Sequence, residues 1–152
     1  MARHPQANAT GPGRRPVPDR PAPARDGPVA CTNFRVFIGG AEIGLCAVSP
    51  LHWGEDACGE TAPAGRVTLR RAVGRDRRLF DWRRALAHGR DDARTVVIVL
   101  LDGAGGDPVS AWTLADARPV RWSGPELDAL SNGIAFEELE ITYEDMTWQD
   151  GP

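Results

Sequence analysis

The sequence predicts a mainly β domain with a single helix. Short runs in which apolar and polar residues alternate recur between residues 34 and 143, which is the spacing of half-buried strands. The continuous run Val96–Leu101 is aliphatic and mostly β-branched, as in a central strand that is covered on both faces. Only the stretch between Asp76 and Gly89 has helical spacing. We therefore expect six or seven strands and one helix.

The first half of the domain begins with a predicted hairpin. Phe34–Ile38 alternates in polarity, Gly39-Gly40 is a turn signal, and Ala41–Val48 forms the second strand. After an irregular segment, the alternation across Val67–Val73 predicts a third strand.

The helix follows directly. Asp76 is a plausible N-cap, and Gly89 suits the residue just past the helix end. Leu79, Trp82 and Leu86 are spaced so that they share one apolar face. The sequence thus predicts about three helical turns, packed by this face.

The second half contains the central strand and the strands that follow it. Asp102–Asp107 is the turn after the central strand. Residues 109–114 and 118–122 form two short strands or one bent strand, in which Pro119 marks an edge position or a bulge. Residues 123–133 are a turn-rich loop.

The final predicted strand changes phase. Its apolar residues fall first on even and then on odd positions: Ile134 and Phe136, then Leu139, Ile141 and Tyr143. One inserted residue near Glu137-Glu138 would bring both sets to the same face. We therefore predict a β-bulge there.

Charge divides the 152 residues into two unlike pieces. Residues 1–28 carry five Arg, two Asp and seven of the thirteen prolines, and such a segment buries too little apolar surface to fold alone. Residues 29–152 carry thirteen Arg against nineteen acidic residues, and their length suits one domain. We expect a disordered or extended arm over residues 1–28 and a single folded domain over residues 29–152.

Composition excludes several classes of protein. The chain has no lysine, so a Walker-A phosphate loop and Schiff-base chemistry are excluded. No apolar run approaches the roughly 18 residues of a membrane helix, and the start of the chain lacks the apolar core of a secretory signal. Three cysteines in a chain without an export signal are expected to be reduced thiols.

The candidates for site chemistry are weak. Cys46, His52 and Cys58 are the only residues with a metal-ligand pattern, but structural zinc sites use tighter pairs and a fourth ligand. No serine lies in a nucleophile turn, and His88 at a helix end suits the helix dipole. We expect no catalytic, cofactor-binding or metal residues, no cofactor and no enzymatic activity.

Arginine is concentrated between Arg66 and Arg94, where ten of them occur. A nucleic-acid site would need a coherent positive face with aromatic stacking. Acidic residues interrupt this stretch, and Trp82 is expected in the core. The pattern favours an interaction surface between subunits over a phosphate-binding track, so no specific nucleic-acid binding is expected.

Six short features, taken in order, carry a family resemblance. They are Asn33–Val36, Val67–Val73, Leu79–Trp82, Val97–Asp102, the aromatic-proline stretch Ala111-Trp112, Ala117–Val120 and Trp122–Pro125, and the closing Glu137–Ile141. Together they resemble the T4-like phage tail-tube family, which also supplies the inner tubes of contractile injection systems. The resemblance covers about residues 32–146.

The resemblance implies a fold, partners and a location. The fold is a small β-barrel of two packed antiparallel sheets with one flanking helix, on which Trp82 and Leu86 would pack and Val97–Leu101 would form the centre. Six copies would join their sheet edges into a ring, stacked with tube, sheath or baseplate proteins around a lumen that passes DNA or protein cargo. Assembly would be cytoplasmic, within a phage tail or tail-like particle, with no membrane and no catalytic residues.

One departure from the family concerns the segment between the second and third strands. The family has a long excursion there that reaches the next ring, whereas Gly54–Gly65 is only about a dozen residues long. This short-loop variant suits a baseplate-proximal ring that initiates the tube, or one of several tube paralogues. A monomeric β-barrel adaptor or binding module is the alternative. Phage, tailocin and injection system all stay open.

Acidic residues of the closing strand carry a second hypothesis. Glu138, Glu140 and Glu144 have the parity opposite to Leu139 and Ile141, so they should point away from the core. If this face lined the lumen, a negative wall would repel acidic cargo. An ordinary solvated strand face is the alternative.

Overall fold

The structure, a computed structural model, describes residues 28–54, 65–103 and 106–151. The predicted arm lies outside these ranges except for its last residue. Cys58 and the interior of the segment between Gly54 and Gly65 also lie outside them.

Nine strands and one helix are present in the described ranges. In chain order they are β1 (Phe34–Ile38), β2 (Ala41–Ile43), β3 (Ala47–Val48), β4 (His52–Trp53), β5 (Gly65–Ala72), α1 (Arg78–Ala87), β6 (Arg94–Leu101), β7 (Pro108–Ser123), β8 (Phe136–Tyr143) and β9 (Asp145–Asp150).

The strands form two antiparallel sheets that share the long strand β7. The first sheet has the order β2-β1-β6-β7-β9, and the second runs from β7 through β8 to β5, on which β3 and β4 both pair. Near Asp116, which has a φ of 53°, β7 passes from one sheet to the other. Aspartate is among the few residues that tolerate this backbone region, so the bend falls where the sequence permits it.

One core lies between the sheets and beneath the helix. It joins Val36, Val96 and Leu114 of the first sheet to Leu69 and Ile141 of the second. The helix adds Leu79 and Trp82, and Leu86 packs against the cluster. The predicted mainly β class, the two packed antiparallel sheets and the single flanking helix are confirmed. Among the described strands, hydrogen bonding does not close the sheets into a continuous barrel.

The helix ends where it was predicted to end and begins one residue later than predicted. The Asp76 carboxylate accepts a bond from the backbone N–H of Arg78 at 3.0 Å, although Arg77 occupies the N-cap position itself. At the other end Gly89 has a φ of 80°. The N–H groups of Gly89 and Arg90 bond to the carbonyls of Leu86 and Ala85. This is a Schellman motif, which glycine favours because it adopts a positive φ without strain.

The predicted second strand, Ala41–Val48, is wrong as one element. Ala41–Ile43 pairs with β1 in the first sheet, whereas Ala47–Val48 pairs with β5 in the second. The chain changes sheet at Gly44–Cys46. The alternation of apolar and polar residues does not reveal such a crossing, because both halves keep strand geometry.

The predicted bulge near Glu137-Glu138 is also wrong. Strand β8 pairs with β5 in one unbroken register, and Glu137 points inward beside Leu139. The bulge lies in the facing strand, between Pro119 and Arg121, where Pro119 does mark both a bulge and an edge. The two alternatives for residues 109–122 resolve in favour of one bent strand. Ile134, assigned to the closing strand, lies in the preceding loop.

Strand β6 is central in the first sheet but is not buried on both faces. Val96, Ile98 and Leu101 are buried, whereas Val97 and Val99 are only half-buried. The sequence is apolar on both faces, and in the single chain only one face is fully covered.

Candidate assembly surface

A buried ionic cluster joins the second sheet to the start of the helix. The Nε of Arg71 on β5 donates to Glu137 Oε1 on β8 at 2.8 Å, and the indole N–H of Trp122 donates to Glu137 Oε2 at 2.8 Å. Nη1 of Arg71 lies 2.9 Å from Asp76 Oδ2 and forms an ion pair there without hydrogen-bond geometry. Arg71 and Glu137 are 7% and 5% exposed, so each of these buried charges needs the other as its countercharge.

The positions of Arg71 and Glu137 along their strands indicate this cluster in the sequence. Arg71 shares the inward parity of Val67 and Leu69, and Glu137 shares that of Leu139 and Ile141. An inward charge on a half-buried strand needs a partner of opposite sign. Two inward charges on neighbouring strands therefore predict a pair.

Asp76 connects the cluster to the start of the helix. Its carboxylate accepts bonds from the Arg78 guanidinium at 2.7 and 3.0 Å. These bonds, with the charge of Arg71, hold the pKa of Asp76 well below its usual range. The carboxylate therefore stays ionised into acidic solution.

Tyr143 anchors β4 to the second sheet. Its hydroxyl donates to the carbonyl oxygen of His52 at 2.5 Å, and burial raises the pKa of the phenol. The ring covers Gly65, where an added Cβ would lie 2.2 Å from Tyr143 Cε2 and 2.4 Å from the His52 carbonyl oxygen. Only glycine fits at this position.

The outer face of the second sheet carries two of the three acidic residues singled out in the closing segment, and the third, Glu144, lies between β8 and β9. Glu138, Glu140 and Glu144 are not in the buried core, as their parity predicts. Each has an arginine within 4 Å: Arg70 at 3.8 Å, Arg66 at 2.8 Å and Arg118 at 3.9 Å respectively. The face is therefore mixed in charge, and a uniformly negative wall is not what this chain presents.

Both ends of the first sheet are open edges in the single chain. Strand β2 pairs only with β1, and β9 pairs only with β7, among the described strands. Strand β9 is six residues long and mostly exposed, and Trp148 on it is 69% exposed while stacked on Trp112. Open edges of this kind are templates for pairing with another chain.

Exposed apolar side chains are concentrated in one loop. Leu127, Leu130 and Ile134, between β7 and β8, are 83%, 95% and 70% exposed. Scattered single apolar residues need no explanation, but three in one short segment indicate contact with a partner.

The weak candidates for chemistry are not brought together. Cys46 is exposed and donates its thiol to the Arg70 carbonyl, while His52 lies on exposed β4. In the ranges that the structure describes, no three His, Cys, Asp or Glu side chains form a group that could hold a metal. No helix in those ranges has the length and apolar character needed to span a membrane.

Comparison with known families gives one match. The profile of the T4-like virus tail tube protein gp19 family matches residues 57–147, about three-fifths of the chain. A comparison with curated protein sequences finds no match.

Several solved structures share the fold. A tube–sheath complex of an extracellular contractile injection system (PVC, extended state) superposes with a TM-score of 0.71 at 24% identity, covering 83% of this chain and 94% of that one. The tube-terminating cap of the anti-feeding prophage gives 0.69 at 20% identity, with coverages of 84% and 95%. The six-fold symmetrised baseplate of the same particle gives 0.61 at 24% identity, with coverages of 82% and 97%.

Proposed function

The chain belongs to the T4-like virus tail tube protein family, and from that premise we propose that it is a ring-forming structural subunit of the inner tube in a phage tail or contractile injection system. The observation that carries the proposal is the pair of open edges on one sheet, β2 at one end and β9 at the other. Identical copies can pair such edges head to tail, and a head-to-tail contact closes into a ring when its rotation permits.

We propose six copies in the ring. One structure that shares the fold belongs to a baseplate described as six-fold symmetrised. Adjoining rings, sheath and baseplate proteins are the partners that such a position implies. Assembly would take place in the cytoplasm before the particle is complete.

The baseplate-proximal initiator ring is the position that we favour. Its support comes from the sequence, where the segment between the second and third predicted strands, Gly54–Gly65, is only about a dozen residues long. A short segment reaches less far toward the next ring than a long one does. The main tube and the terminating cap are the competing positions, and each has a relative that shares the fold.

The role proposed is structural and not enzymatic. A ring subunit needs no cofactor, metal or catalytic group, and it binds nucleic acid without sequence preference at most. If the outer face of the second sheet lines the lumen, its paired charges would let DNA or protein cargo slide past without strong attraction of either sign. Residues 1–28 would act as a tether to an adjoining ring, outside the domain of residues 29–152.

Electron microscopy of the purified protein tests this proposal. Single rings that also cap tubes of a co-expressed tube protein would support the initiator position. Long tubes formed by this protein alone would contradict that position and support the main tube. A monomer inert toward tube and baseplate proteins would contradict both and favour the adaptor alternative. Deleting residues 1–28 in the same assay shows whether assembly needs the arm.

A further inference from the structure

The loop of residues 124–135 connects β7 to β8. It encloses an open depression of about 670 Å³, lined almost entirely by the loop itself. Its own bonds hold its shape: Asp128 Oδ1 accepts from the N–H of Leu130 at 2.9 Å, and Ser131 Oγ accepts from that of Gly133 at 3.1 Å. Leu127, Leu130 and Ile134 are thus presented to solvent on a shaped loop.

The same loop is acidic. Glu126 and Asp128 are exposed, and neither has an ion-pair partner among the described residues. From residue 122 to the end of the chain there are eight acidic residues and no arginine. A partner for loop 124–135 must therefore offer apolar contact and positive charge together.

The exposed side of α1 offers this combination. A depression of about 250 Å³ is lined by Asp81, Arg84, Ala85, His88 and Arg90. Arg84 and Arg90 are exposed, and no described residue forms an ion pair with either. The depression has room for an aliphatic side chain, and Arg84 and Arg90 at its rim are suited to carboxylates, although Asp81 lines the same depression.

We propose that loop 124–135 of one copy docks on the α1 depression of a neighbouring copy, with Leu130 in the depression and Glu126 facing Arg84. This inference rests on the proposed function and names a second contact between subunits, separate from the pairing of sheet edges. The contact is head to tail, so each copy gives one loop and receives another. Opposite charges on the two surfaces also disfavour wrong pairings between identical patches.

A charge swap tests the contact directly. Glu126→Arg and Arg84→Glu each place like charges together, and each should raise the concentration for half-assembly at least about tenfold, the effect of roughly 1.4 kcal/mol. The double variant Glu126→Arg/Arg84→Glu restores opposite charges and should return to within about threefold of the wild type. Mass photometry across a dilution series measures all four proteins.

Two further variants separate assembly from folding. Leu130→Ser changes a side chain that is 95% exposed, so it should leave the melting temperature unchanged while weakening assembly. Arg75→Glu changes an exposed arginine that does not line the depression and should assemble as the wild type does.

The outcomes distinguish this inference from the proposal beneath it. A wild type that forms rings while the single reversals and Leu130→Ser form them equally well overturns the docking contact and leaves the ring proposal standing. Single reversals whose defects add in the double variant also overturn the contact. A wild type that stays monomeric overturns the ring proposal, and the docking contact with it.

Discussion

Arg71 and Glu137 hold together three parts of the molecule. Arg71 reaches both Glu137 on β8 and Asp76 before the helix, and Trp122 bonds the other oxygen of Glu137. A charge buried to this degree is tolerated only when its partner is in place. The parity of both residues was visible in the sequence, whereas their pairing required knowing that β5 and β8 are neighbours.

Glu137→Gln should destabilise the protein by about 3 kcal/mol, because it leaves the Arg71 guanidinium buried without its countercharge. Urea unfolding at pH 7 measures the free energy of unfolding. Glu138→Gln is the matched control, since its side chain is exposed and about 3.8 Å from Arg70; it should change stability by less than about 0.5 kcal/mol. Equal effects of the two changes would contradict the role of the buried pair.

Gly65→Ala should destabilise the second sheet by about 3 kcal/mol, since the added methyl group would overlap the Tyr143 ring and the His52 carbonyl. Gly74→Ala is the control, because nothing lies within 4 Å of a Cβ there. Thermal unfolding compares the two variants. If the Gly65→Ala protein is as stable as Gly74→Ala, the packing of the Tyr143 ring does not require the absence of a side chain at Gly65.

The contribution of Asp76 to the stability of the fold should depend on pH. Bonds from Arg78 lower the pKa of Asp76 in the folded state below its ordinary value of 3.8. The ionised form therefore stabilises the fold above that value, and the contribution is lost as pH falls toward the lowered pKa. We expect the stability difference between the wild type and Asp76→Asn to be constant above about pH 5 and to shrink below pH 3.8. A difference that grows on acidification would contradict this sign.

The short strand β4 and the edge strand β9 were not predicted from the sequence. Asp145–Asp150 has two apolar residues, Met146 and Trp148, and most of its side chains are exposed because β9 is an edge strand. Its place is determined by pairing with β7, which local pattern does not encode. The division of Ala41–Val48 between two sheets was missed for the same reason, whereas the helix and β6 were located correctly from local spacing and length.

The open edge of β9 can be blocked by proline. The N–H of Gly151 donates to the Val109 carbonyl, so in the alternation of an antiparallel ladder the N–H of Trp148 points to the open side. Trp148→Pro removes that donor, and Trp148→Ala removes only the ring. We expect Trp148→Pro to abolish ring formation, whereas Trp148→Ala should still assemble. Circular dichroism should show that both variants are folded as monomers. Equal assembly of the two variants would exclude β9 as a ring contact.

At the scale of the whole molecule, the class of fold was available from the sequence and the arrangement of strands was not. Alternation and length predicted a mainly β domain with one helix, and six ordered features placed it in a family. The sheet order depends on contacts between distant residues, such as Phe34 with Leu100 and Gly65 with Tyr143. The half-buried face of β6 and the acidic loop become intelligible only when a second copy is considered.

Native mass spectrometry of the purified full-length protein counts the subunits of the proposed ring without assuming any contact. We expect a dominant species of six times the 16.4 kDa chain mass, or stacks of that unit. A single monomeric species at every concentration, from a protein that is folded by circular dichroism, would contradict the proposed ring.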